Sequence, residues 1–98
     1  MPTEPSREAI NAVWRAARAF VAMNEAIAAV EKDIAGFDPF WMAQHANQAY
    51  THYVQGHAYV STARDGAVPD RVLQHAVAGD LDALEDDLAA YRSQKAGA

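Results

Sequence analysis

Four histidines are the chain's most reactive side chains, and three of them crowd together. His45, His52 and His57 lie within residues 39–63, with His75 further on. Neutral imidazoles can hold a metal, shuttle protons or accept a phosphoryl group. Metal binding on a helix needs ligands at i, i+3 or i+4, which share a face. His45 and His52 are seven apart, about 10 Å along a helix axis, and His57 lies far round the wheel from His52. No Asp or Glu falls between them, so no metal site is expected. Nucleophilic catalysis needs a base and an orienting acid beside the hydroxyl, and Ser61 and Thr62 have neither at a useful spacing. There is no phosphate-cradling glycine loop and no carboxylate pair. The expectation is a protein with no cofactor and no enzymatic activity of its own.

Residues 39–63 carry these groups, and this run of 25 holds no Asp, Glu, Lys or Arg. It reads as a helix. Asp38 suits the N-cap and Pro39 the first helical position. Phe37 and Met42 are placed for a hydrophobic staple. On the wheel Met42, Ala46, Ala49, Tyr53, Gly56 and Val60 form an apolar stripe, with Ala43, Tyr50, Val54 and His57 beside it. Gln44, Gln48, Thr51, Gln55 and Thr62 lie opposite. His45 and His52 fall on the flank near Trp41 and Tyr59. Solvated faces usually carry charge, so an uncharged polar face predicts a covered surface. Its binding residues are expected to be Trp41, His45, Gln48, His52, Gln55 and Tyr59. Too many polar residues interrupt the run for it to span a membrane.

The other elements follow from their punctuation. Residues 1–5 read as a loose lead-in, and Ser6 caps a long helix to Ala35 with Ile10, Val13, Trp14, Ala17, Val21 and Ala28 on one face. Gly36 is expected just past its end, in the left-handed conformation. Arg64-Asp65-Gly66-Ala67 reads as a turn. Pro69 opens a short helix carrying Val72, Leu73, Ala76 and Val77, closed by Gly79. Asp80 caps a fourth helix through Leu81, Leu84, Leu88 and Tyr91, fraying from Ser93. Its five acids at 80–87 read as a solvated face that suits the helix dipole.

The expected fold is all-α: one domain over 1–98, a small four-helix bundle. Two long helices form an antiparallel hairpin, two shorter helices follow, and 1–5 and 94–98 are flexible tails. Of 98 residues 23 are alanine, four leucine and three isoleucine. Large core side chains are therefore few, and Trp14, Phe20, Val21, Ile27, Tyr53, Val60, Leu84 and Leu88 are expected inside. A net charge of −5 lacks the basic face that nucleic acid requires. No cysteine is present, which excludes disulfides and thiolate sites. With no secretion signal visible, a bacterial cytoplasm is the expected setting.

One local string has mechanistic content. His52-Tyr53-Val54-Gln55-Gly56-His57-Ala58 resembles the His-x-x-(Lys/Arg)-Gly-x-Ala signature of histidine-containing phosphotransfer domains, which are four-helix bundles. The resemblance covers seven residues. It implies a phosphoacceptor at His52, room for an incoming receiver domain at Gly56 and an inward-packed Ala58. Gln55 stands where the family has a cation to support phosphoryl charge. The residues themselves favour a non-enzymatic interaction module, self-associating or an adaptor subunit of a larger complex, with a protein partner on 39–63. Phosphoryl relay through His52 is the alternative.

Overall fold

Short polar side chains set where three of the four helices begin, and a proline precedes the other. The computed structural model describes the backbone of residues 6–36 and 38–97, and their side chains except those of 33–35 and 91–97. Ser6 Oγ accepts a hydrogen bond from the Ala9 N–H at 3.1 Å and starts α1, Arg7–Gly36. Asp38 Oδ1 accepts from the Trp41 N–H at 3.3 Å, with Pro39 at the first position of α2, Pro39–Asp65. Pro69 opens α3, Asp70–Ala78. Asp80 Oδ1 accepts from the Ala83 N–H at 3.0 Å and starts α4, Leu81–Gly97. Each cap satisfies a backbone donor that the first turn leaves unpaired. The chain is all-α, with no strand among the described residues. Phe37, the Tyr91 side chain and the lead-in 1–5 fall outside the description.

The helix ends differ from expectation in three places. α1 continues through Gly36; the left-handed glycine among the described residues is Gly79, at φ 70°. Gly79 ends α3 with its N–H on the Ala76 carbonyl, while the Asp80 N–H reaches the His75 carbonyl, both at 3.0 Å. α2 runs two residues past Ala63, and Ala67, not Gly66, takes the left-handed conformation at φ 69°. Gly66 answers a different need: a Cβ there would lie 2.5 Å from the Ala9 Cβ. α4 runs on past Ser93 to Gly97.

α1 and α2 run in opposite directions along each other. Gly66 meets Ala9, Gly56 meets Phe20, and His45 and His52 line a groove with Ala22, Ala26 and Ala29. α3 packs on both helices, and α4 folds back along α3. The core gathers Val13, Ala16, Ala17 and Phe20 of α1, Val60 and Ala63 of α2, Val68, Leu73 and Ala76 of α3, and Leu84 of α4. Among the described residues Phe20, Leu84 and Val13 are the largest side chains sealed from solvent. Sealing one contributes roughly 1.5–3 kcal/mol.

This core occupies only one half of the elongated molecule, which measures 57 × 22 × 16 Å. Among described residues between Val21 and Gln55, Ala26 is the one that is buried. Ile27 and Tyr53, expected inside, are 41% and 49% exposed. Trp14 and Val21 are partly buried. Phe20, Val60, Leu84 and Leu88 are buried as expected. The physical reason is the turn at Gly79. It reverses the chain beside Val21 and Asn24, so the third layer stops there and the outer half of the α1–α2 pair has none.

A candidate interaction surface on α2

The six expected binding residues divide between two sides of α2. His45, His52 and Tyr59 are partly buried toward α1, while Trp41, Gln48 and Gln55 are exposed. His45 stacks on Trp41, with ring centroids 6.3 Å apart and planes 29° apart. Its Nδ1 lies 3.3 Å from Gln48 Oε1. His52 joins His45 and Gln48 in a shallow groove of about 260 Å³. The α1 wall of that groove is Ala22, Ala26 and Ala29, with the Glu25 carboxylate at its edge. Tyr59 lies further along, with the Arg15 guanidinium 6.0 Å from its ring centre. The expected flank of His45 and His52 with Trp41 and Tyr59 is divided, Trp41 being exposed while the other three, at heptad spacing, are partly buried beside α1. Glu25 was not legible beforehand, because it comes from the facing helix.

The uncharged polar side is partly satisfied within the helix. Thr51 Oγ1 donates to the Asn47 carbonyl at 2.9 Å and Thr62 Oγ1 to the Ala58 carbonyl at 3.2 Å. Such back-bonding lets a hydroxyl sit on a helix without an outside partner. The more exposed feature is apolar. Phe40, Tyr50, Tyr53 and Val54 are 72%, 69%, 49% and 47% exposed, and Trp41 is 49% exposed. Tyr50 and Val54 were expected beside the inward stripe. They face solvent because α2 touches α1 along one edge only, marked by Gly56, Val60 and Ala63.

The string around His52 is also placed. Gly56 is buried, and a Cβ there would lie 2.7 Å from Phe20 Cε2. Its missing side chain therefore makes room for a ring of the same chain. Ala58, expected to pack inward, is exposed, as is Gln55. His57 is exposed and meets the Phe20 ring edge-on at 5.1 Å and Tyr53 at 4.5 Å. No three His, Asp or Glu side chains among the described residues converge to hold a metal ion. No helix of the described residues is long and apolar enough to cross a membrane.

The most ordered polar cluster lies elsewhere. Asp87, within the acidic run of α4, has its side chain 7% exposed and accepts from His75 Nδ1 at 2.6 Å and from Arg71 at 3.0 Å. The His75 hydrogen bond, then that of Arg71, holds the Asp87 carboxyl below its ordinary 3.8. The run was read as wholly solvated, which suits exposed Asp82, Glu85 and Asp86 but not Asp87. A signal existed: Asp87 follows Leu84 by three and precedes Leu88, so it rides the buried stripe. The cluster ties α4 to α3. The chain was compared with protein-family models, curated proteins and solved structures, and none of them matches it.

Proposed function

We propose that this chain is a non-enzymatic helical interaction module that binds a protein surface through α2. The partner is another copy of the chain or a larger protein for which it serves as adaptor or small subunit. In this reading the four helices act as one small bundle, the antiparallel α1–α2 pair being its stem, in a cytoplasmic setting. One observation carries the proposal: five large apolar side chains of α2 stand exposed on a run of 25 residues without a charge. Scattered single apolar residues are normal on a surface, but neighbours such as Tyr50, Tyr53 and Val54, at spacings of three and four, make an interaction feature. Aromatic enrichment with depleted charge is also the composition of interface centres.

Charge insertion tests it. Gln48→Glu and Tyr50→Glu each set a carboxylate at an exposed position of α2, and Gln48→Glu keeps an oxygen for His45. Association should weaken by about 2 kcal/mol or more where the charge is stranded without water or a partner. Light scattering and titration against candidate partners provide the readout. A wild-type protein that stays monomeric at high concentration and binds no candidate partner would remove the basis for this reading.

A further inference from the structure

We infer that a second copy of this chain covers the outer half of the α1–α2 pair, the two outer halves packing face to face about a two-fold axis. This rests on the reading of α2 as an interaction surface and names the partner. The first observation is the missing layer. In the inner half α3 fills the groove between α1 and α2. In the outer half the same groove continues uncovered. Ile27 follows Phe20 by one heptad and so rides the same face of α1, yet Phe20 is 1% exposed and Ile27 41%. Tyr50, Tyr53 and Val54 open on the α2 side. Two helices whose described residues bury one alanine here gain little from packing, and helices owe most of their stability to packing.

The second observation is charge, and it selects the occupant. Among the described residues the exposed charges of this half, Glu25, Glu31 and Lys32, belong to α1, while residues 39–63 of α2 carry none. A charged partner surface would be desolvated against α2 without compensation. A second copy brings the same neutral face. About a two-fold axis each residue near the axis approaches its own counterpart, so any charge there would meet its like. A run of 25 residues free of both signs, in a chain of net charge −5, matches that requirement. The two pairs together would form the four-helix arrangement that each lacks at this end.

The test is the solution mass of the full chain across concentration, for wild type, Ile27→Glu, Tyr53→Glu and the control Arg18→Ala, with amide exchange on each. Ile27 and Tyr53 are half-exposed in the single chain, so both variants keep their folded inner half, seen as slow exchange at 73–88. The inference expects wild type and control at twice 10.6 kDa, and dissociation constants raised at least 30-fold in both glutamate variants. A dimer indifferent to both glutamates uses another face and overturns the inference and the α2 reading together. A wild-type monomer overturns the inference. In that case fast exchange over 42–54 leaves the α2 surface awaiting a different partner, whereas slow exchange there removes the α2 reading as well.

Discussion

Gly56→Ala places a methyl group where Phe20 now sits. The added Cβ would lie 2.7 Å from Cε2, 2.8 Å from Cζ and 3.1 Å from Cδ2 of that ring. Ordinary carbon contacts fall at about 3.5–4.0 Å, so the ring or the helix must move by roughly 1 Å. Phe20 is 1% exposed and its edge already meets His57, so the ring has no free direction. Forced overpacking costs about 1–3 kcal/mol. Against it stands a helix-propensity gain of about 1 kcal/mol for alanine over glycine. The net is a loss of about 1 kcal/mol, and at most about 2. In a domain of this size that lowers Tm by roughly 4–8 °C per kcal/mol, read by circular dichroism. Phe20→Leu alongside Gly56→Ala should recover part of the loss, with a coupling of at least about 0.5 kcal/mol. If Gly56 instead kept a space open on the outside of the helix, alanine would raise Tm and the two changes would add independently. That result would refute the packing account.

Two further outcomes test the core and the α3–α4 contact. Leu84→Ala should cost about 2–5 kcal/mol in urea unfolding, and Ile27→Ala under about 1 kcal/mol in the monomer because 41% of Ile27 already sees water; similar losses at both sites would contradict the division into halves. Asp87→Asn should cost about 1–3 kcal/mol near neutral pH. Because the folded-state carboxyl titrates below its ordinary 3.8, the stabilisation from Asp87 is complete above about pH 5 and fades as pH falls through the folded value. Wild-type stability should therefore drop more steeply than that of the variant below about pH 4, and parallel curves from pH 2 to 7 would sink the argument.

Helix starts were legible because their chemistry is local. Ser6, Asp38 and Asp80 each bond an N–H three residues away, and a short polar side chain followed by a helical run announces that contact. Gly79 was legible as the residue that closes a short helix, although the left-handed conformation was expected at Gly36. Val13, Ala17 and Phe20 of α1 and Leu84 and Leu88 of α4 lie where spacing put them, whereas Ala28 and Leu81 on the same expected faces are exposed. Periodicity tells which side of a helix is apolar but not how far a covering layer extends. Ile27 and Tyr53 were misplaced for that reason. The roles of Gly56 and Gly66 depend on Phe20 and Ala9, residues far away in the chain, and no local pattern contains them. Of the candidate site, the grouping of His45, His52 and Tyr59 was readable, whereas their turn toward α1 required the register of the pair.

The uneven distribution of the core has a kinetic consequence. A helical pair normally closes from its connecting turn outward, because contacts nearest the turn enclose the shortest loops. Here, among the described residues between Val21 and Gln55, Ala26 alone is sealed. The first contact worth keeping is Phe20 against Gly56, roughly 36 residues apart along the chain. Closing that loop rather than one half as long costs only about 0.6 kcal/mol more, so the delay is slight. The order of events changes all the same. Docking must begin in the middle of both helices and spread toward the termini, while α3 and α4, joined by Asp87 to His75 and Arg71 over short separations, assemble on their own timetable.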